Sequence, residues 1–415
     1  LSLRLRPSSP AFTVYLALLS GLPPLSIDMG LPALGAIQSD LGASAGAAAL
    51  TLSLFLAGFT AGPLFMGPLA DRFGRKPVLL AGLTVFGAAG LACAAAPSLG
   101  LLLAARFVQG LGAGAGSALP VAIIRDLYEG VEARRRLAAV ALVSGLAPIL
   151  APLLGAGLLA VTGWRGIYGL LGVGGVGLLA ATLAFEESAP DGSHHRLDLR
   201  GLAATYAAVL RDPDFRGHAL LNAACFGAMF AYISSSSLVL MDGFGVSSGA
   251  FSLLFGCTAG CSLLGAYLSG RSAKAGVEPR RLIGGGLGLG ASATAAFLGL
   301  ALAGWRSPWA VVPPVMVYYL GQGLIMPALT HEAMQPMGER AGVAASTMRA
   351  LQMAVGAGSG MLVAWLFDGR TALATAGIMA AFSAGALLYF HLGLRAAAPR
   401  GAGRGPATMN GGQDG

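Results

Sequence analysis

The stretch Gly67-Pro68-Leu69-Ala70-Asp71-Arg72-Phe73-Gly74-Arg75-Lys76-Pro77 decides how this chain is read. It is a short basic turn, one carboxylate among three cations, wedged between two long apolar runs. Lys and Arg resist translocation, so the stretch reads as a cytoplasmic loop joining two membrane spans. Taken by itself it is a charged latch whose bonds change as the surrounding spans move.

Composition supports a membrane protein. Apolar residues make up 55% of the 415 residues and charged ones only 11%. A soluble domain carries about 25% charged residues, so this chain has too little charge to cover a water-facing surface. The 64 glycines fit, because small residues let membrane helices approach closely. The net charge of +8 lies in short loops, where it signals topology and not a nucleic-acid surface. The cysteines (Cys93, Cys225, Cys257, Cys261) all fall inside apolar runs. Cys257 and Cys261 share a helix face without a nearby His or acid, so they read as small buried side chains and no metal is expected. The first apolar run lacks an A-x-A-like cleavage site and is expected to be a retained helix.

Apolar runs long enough to cross about 30 Å fall near 11–34, 46–68, 78–96, 99–124, 137–160 and 165–185. They resume near 215–240, 248–270, 282–303, 308–331, 341–366 and 371–394, giving about twelve spans. Of the 26 Lys and Arg, 21 fall on the side of the Asp71 loop and three (Arg165, Arg306, Arg370) on the other. Both termini are therefore expected in the cytoplasm. Leu69-Ala70-Asp71-Arg72 aligns with Leu268-Ser269-Gly270-Arg271, as two repeated halves require. The expected organisation is all-α and integral to the membrane. It comprises a six-helix bundle over 11–185, a cytoplasmic linker over 186–213, a second bundle over 214–394, and a disordered tail over 395–415. Within the linker, Leu197, Leu199, Leu202, Tyr206, Val209 and Leu210 form one face of an amphipathic helix expected to lie on the membrane surface. His194 and His195 read as solvated linker residues.

Asp28 is the one acid well inside a span, after the helix breaker Pro23-Pro24. A carboxylate at that depth is costly, and such a group can exchange a proton for a polar or cationic ligand as access alternates. The bland alternative is an Asp paired permanently within the bundle. Arg106 lies at similar depth on the fourth span, so the two are candidates for one polar site. Arg106 either tunes Asp28, holds an electron-rich group of a substrate, or pins helices together. Tyr15, Phe55, Phe59, Phe226, Phe230, Tyr232, Tyr318, Tyr319 and Met326 are candidate walls of an apolar cavity, with Gln109, Asn222 and Gln322 as polar members.

The opening stretch, extended through Leu79, fills every position of G-x-L-A-D-R-x-G-R-K-x-x-L and so resembles the loop between the second and third helices of major facilitator transporters. Arg106-Phe107-Val108-Gln109-Gly110-Leu111-Gly112-Ala113 resembles the fourth-helix motif of their drug:proton antiporters. Gly145, Pro148, Pro152 and Gly155 resemble the fifth-helix antiporter motif, with Ala151 and Ala156 in place of two glycines. Further stretches, among them Ile27-Asp28-Met29-Gly30-Leu31-Pro32 and Gly163-Trp164-Arg165-Gly166, look like the Bcr/CflA subfamily of bicyclomycin, chloramphenicol and other multidrug exporters. The resemblance implies that Asp28 couples drug to proton with Arg106 as its partner. It also implies that Gly67, Asp71, Arg72, Gly74, Arg75 and Lys76 form a cytoplasmic gate reaching the eleventh helix. Gly30 stands where that subfamily leads one to expect tyrosine. Arg349 stands where a small residue is expected, and is read as paired with Glu332 or His331, or as holding an anionic substrate.

Gly172-Val173-Gly174-Gly175-Val176-Gly177 satisfies G-x-G-x-x-G, but inside an apolar span it reads as helix packing. No ATP-binding loop, zinc-protease or nucleophile-elbow motif is present, so no enzyme is expected. The reading is a bacterial inner-membrane exporter of amphipathic small molecules, driven by protons without a cofactor, embedded in lipid and acting as a monomer. A metabolite permease is the alternative, and a transport-dead receptor a more remote one.

Overall fold

A computed structural model describes residues 6–188 and 199–393. The tail, His194 and His195 lie outside the described residues, and so does Leu197 of the linker. All regular structure among the described residues is helical. In chain order the helices are α1 (Pro10–Asp28), α2 (Leu34–Leu41), α3 (Ala45–Phe59), α4 (Ala61–Phe73), α5 (Arg75–Ala94), α6 (Leu99–Leu127) and α7 (Gly130–Leu183). There follow α8 (Leu199–Arg211), α9 (Pro213–Ser237), α10 (Ser248–Lys274), α11 (Pro279–Leu302), α12 (Pro308–Met334), α13 (Ala341–Leu366) and α14 (Leu373–Leu392). Ten helical segments among the described residues are long and apolar enough to cross a membrane.

The ends of these helices follow local chemistry. Ser9, Ser44, Ser98, Asp212 and Ser247 each accept a backbone N–H at a helix start, satisfying donors that the first turn leaves free. The long α7 is two helices. Gly163 breaks it with φ 69° and ψ −175°, a conformation that glycine adopts at low cost. The chain doubles back there, because both ends of α7 meet the start of α1: Arg136 donates to Thr13, and Thr182 bonds the Tyr15 hydroxyl at 2.7 Å.

Close packing rests on glycine. A Cβ at Gly58 would fall 2.0 Å from the Phe107 carbonyl oxygen, and one at Gly110 2.0 Å from that of Phe55, so α3 and α6 cross backbone to backbone. Gly172 and Gly175 press likewise on Leu91 and Gly87 of α5, which explains the glycine-rich stretch of α7 as packing. Helices α1 and α3–α7 pack mainly on one another, as do α9–α14, and the two sets meet where α3 crosses α13 and α7 crosses α10.

Two expectations change. The amphipathic helix α8 turns part of its apolar face to the protein, while Leu210 stays exposed: the Tyr206 hydroxyl donates to the Leu64 carbonyl at 2.8 Å, and Val209 is buried with Phe215, Ala333 and Met337. Of the cysteines, Cys93 and Cys225 are buried, but Cys257 is exposed and Cys261 half-buried, because α10 turns that face outward.

Candidate functional site

A cavity of about 710 Å³ lies between the two sets of helices. Asp28, the last residue of α1, stands on its wall, and of the other expected residues Asn222, Phe226, Tyr319, Gln322 and Met326 join it there. Gly145 and Pro148 bring α7 to the same wall. Met229, Ile233 and Phe255 extend the apolar surface, and Ser262 donates to Gln322 Oε1 at 3.1 Å. Met229, Ile233 and Phe255 are not among the residues expected on the wall, because only helix rotation tells a cavity-facing apolar side chain from a packed one.

Asp28 is 4% exposed and has no hydrogen bond or ion pair to any described residue. Asn222 Oδ1 and the Tyr319 hydroxyl, on the same wall, also lack partners among the described residues. Such a surface, apolar with a few converging polar groups, is of the kind that holds small molecules.

The cavity runs toward the helix ends that carry Arg340 and Arg271, since Met334, Ala345 and Met348 line it there. At the opposite end it is shut. Gly46 lies against the Ala364 carbonyl, Gly360 against Ser53, and Gly35 against the Asp242 carboxylate. Near that end Asp40 accepts from Trp164 Nε1 at 3.1 Å and pairs with Arg165.

Arg106 stands apart from Asp28. Its side chain is fully buried and donates to the Ser26 carbonyl at 2.9 Å, the Thr51 carbonyl at 3.1 Å and Gln109 Oε1 at 2.7 Å. The guanidinium also lies 4.3 Å from the Phe55 ring centre and 5.2 Å from that of Tyr168. It therefore ties α1, α3 and α6 together behind the wall. Gln109, Phe55 and Phe59 belong to this packing and not to the cavity surface. Tyr15 is held by Thr182, Phe230 by Gly360, and the Tyr318 hydroxyl by the Cys225 carbonyl. Tyr232 is buried one layer back, stacked on Phe255 and edge-on to Tyr319. The aromatic residues expected on the wall thus divide between wall and packing according to which way each helix face turns.

The opening stretch of the sequence forms the turn between α4 and α5. Gly74 has φ 90°, and a Cβ there would meet the Glu187 carboxylate at 2.5 Å. That carboxylate accepts the Arg75 and Lys76 N–H groups at 2.9 and 3.0 Å, capping α5 where the helix dipole favours an anion. Arg75 joins Asp71 and also Asp126 of α6, at 2.9 Å for the latter. Lys76 Nζ donates to the Leu183 carbonyl at 3.0 Å and to that of Phe185. The bonds of Asp71, Arg75 and Lys76 stay within the first set of helices, although α4 packs against α13. A Cβ added at Gly67 would meet nothing within 4 Å, and the Arg72 guanidinium lies 5.0 Å from the Phe73 ring centre. In the antiporter-like stretch, Gly155 packs on the Met29 carbonyl, with only 2.2 Å for an added Cβ, and the Pro152 carbonyl accepts from Ser252 at 2.9 Å.

Arg349 lines the cavity and is paired with neither Glu332 nor His331; the His331 ring bonds Gln335 instead.

Comparison with known proteins agrees with this architecture. Residues 16–361 match the model of the Major Facilitator Superfamily. The chain is 32% identical over 350 residues to an uncharacterized MFS-type transporter, YdgK, of Bacillus subtilis, covering 83% of this chain and 86% of that one. It is 30% identical over 372 residues to a bicyclomycin resistance protein homolog of Haemophilus influenzae, covering 85% and 88%. Among solved structures, a bacterial homolog of the human lysosomal transporter Spinster, inward-facing and occupied, superposes with a TM-score of 0.71. It is 17% identical, and the match covers 94% of this chain and 97% of that one. The chain is a multi-pass membrane transporter of the Major Facilitator Superfamily.

Proposed function

We propose that this transporter exports amphipathic small molecules in exchange for protons, with Asp28 as the coupling acid. The observation that carries the reading is an unpaired carboxylate on the wall of a large apolar cavity between two sets of helices. A buried acid with a fixed cation would have no reason to change protonation during a cycle. Asp28 has none within reach among the described residues, so a proton or a substrate group is its natural counterpart. Relatives named for bicyclomycin and multidrug resistance support the substrate class.

The ten candidate spans become twelve when α7 is divided at Gly163 and α13 is included. Two six-helix bundles then carry their basic loops, and both termini, on the cytoplasmic side of a bacterial inner membrane. The cavity opens toward that side, which makes this the inward-open state. Export follows by alternating access: Asp28 takes a proton from outside, the site turns inward, the proton leaves, and substrate loads from the cytoplasm or inner leaflet. The Asp71 loop, bonded here within one bundle, exchanges partners toward α13 when the inner side closes. The transporter acts as a monomer, with the proton gradient and no cofactor as its source of work.

Substrate-dependent proton movement in everted vesicles tests the reading. Wild type is expected to release protons on addition of a transported drug such as chloramphenicol, and Asp28→Asn is expected to show none. Full proton-driven export by a well-expressed Asp28→Asn variant would rule out the assignment.

A further inference from the structure

We propose that Arg349 is an anion-binding station in the transport cavity, so that the substrates include amphipathic organic acids and zwitterions. The inference rests on the transport reading above and adds the chemical class of the cargo.

Among the residues lining the cavity, Arg349 is the one cation and Asp28 the one anion. Arg349 sits in the third turn of α13, exposed to the cavity although the cavity itself lies deep among the helices. It has no hydrogen bond or ion pair to any described residue, whereas Arg75, Arg106, Arg136 and Arg165 are all engaged. An arginine within a membrane helix is costly, and the usual relief is a partner. Here none of the described residues supplies one.

The charges of Arg349 and Asp28 do not neutralise each other. Along α13, Gly360 abuts Ser53 of α3. Arg106 bridges Ser26 of α1 to Thr51 of α3, which sets Asp28 at or beyond that level. At ~1.5 Å per residue, the run from Arg349 to Gly360 separates the two charges by on the order of 15 Å along the cavity. Arg349 therefore lies nearer the open end, where an entering molecule meets it first. Gln352, one turn further in, adds an amide. The planar guanidinium takes a carboxylate or similar oxyanion by two parallel hydrogen bonds, which ammonium cannot reproduce. Beyond it, Phe226, Met229, Ile233 and Phe255 offer an apolar bed for the rest of the molecule.

The test is a matched pair of probes, dansyl-phenylalanine and its methyl ester, titrated by fluorescence against the full chain in lipid nanodiscs and corrected with empty nanodiscs. Wild type is expected to bind the acid at least tenfold more tightly than the ester. Arg349→Gln is expected to abolish that preference. Arg349→Lys, which keeps the charge and loses the fork, is expected to retain part of it. Equal binding of acid and ester by wild type overturns the proposal, as does binding of neither by monodisperse protein or an unchanged preference in Arg349→Gln. The wild-type ratio decides even if the variants fail to fold. Asp28→Asn separates this inference from the coupling reading. An acid preference that persists there while proton release is lost supports both. Proton release that persists there, with the acid preference intact, overturns coupling by Asp28 and leaves the Arg349 station standing.

Discussion

Replacing Arg106 by Met separates a structural cation from a ligand-binding one. The side chain makes three donations, two of them to main-chain carbonyls of other helices, and is fully buried. A hydrogen bond to a charged group contributes roughly 1.5–3 kcal/mol. Part of that is offset because the variant no longer buries a charge. Leaving a buried acceptor without its donor costs about 1–3 kcal/mol, so the loss of the donor to both the Ser26 and Thr51 carbonyls costs roughly 3–5 kcal/mol. At about 2 °C per kcal/mol for a large protein, the unfolding midpoint should fall by on the order of 5–10 °C. The assay is built into the fold: Cys93 Sγ lies 4.0 Å from Gln109 Oε1, the acceptor of the same arginine. In a background lacking Cys225, Cys257 and Cys261, heating in the presence of a thiol-reactive dye reads the opening of this layer directly. Arg106→Lys should recover part of the loss, because ammonium keeps the charge but not the three-way geometry. An unchanged midpoint in Arg106→Met, accompanied by loss of substrate binding, would refute the reasoning and return Arg106 to the cavity.

Three further outcomes follow from local geometry. Gly155→Val places a branched side chain where even a Cβ has only 2.2 Å to the Met29 carbonyl, so α1 and α7 must part; the yield of monodisperse protein on size-exclusion chromatography should collapse, while Gly157→Val, in open space, should not change it. Glu187→Ala removes the acceptor of two N–H groups at the start of α5 and should cost ~1 kcal/mol, read as faster exchange of the Arg75 and Lys76 amides in hydrogen–deuterium exchange. In the loop after α13, burial disfavours the Asp368 anion, but bonds from the Thr371 hydroxyl and the Arg370 and Thr371 N–H groups prevail and hold its carboxyl below the usual range. A depressed folded-state value means the loop's contribution is complete above about pH 5 and is lost as pH falls through that depressed value; amide protection of Thr371 should follow that course in wild type and vanish at all pH in Asp368→Ala.

The membrane architecture was legible because it depends on composition and order alone. Long apolar runs, one-sided Lys and Arg, and the Gly67–Leu79 turn need no knowledge of how helices rotate. Asp28 was legible for a similar reason, since an acid at that depth is rare enough to stand out. Its relation to Arg106 was not, because equal depth says nothing about azimuth. Arg106 turns to Thr51 and Gln109 behind the wall, and Asp28 turns into the cavity. The same uncertainty divided the aromatic residues, sending Phe226 and Tyr319 to the wall and Tyr15 and Phe55 into packing. Glu187 gave no signal at all: its role as the cap of α5 arises only when the end of α7 is brought beside Gly74. The unpaired state of Arg349 was likewise hidden, because Glu332 and His331 are near in sequence yet turned elsewhere.

Drug-induced proton release from purified protein, wild type against Asp28→Asn, tests the central claim most directly. Release by wild type and none by the variant is the predicted result, and would set drug and proton in competition at Asp28. Release of equal size from both proteins, or none from a wild type that demonstrably binds the drug, would contradict the account.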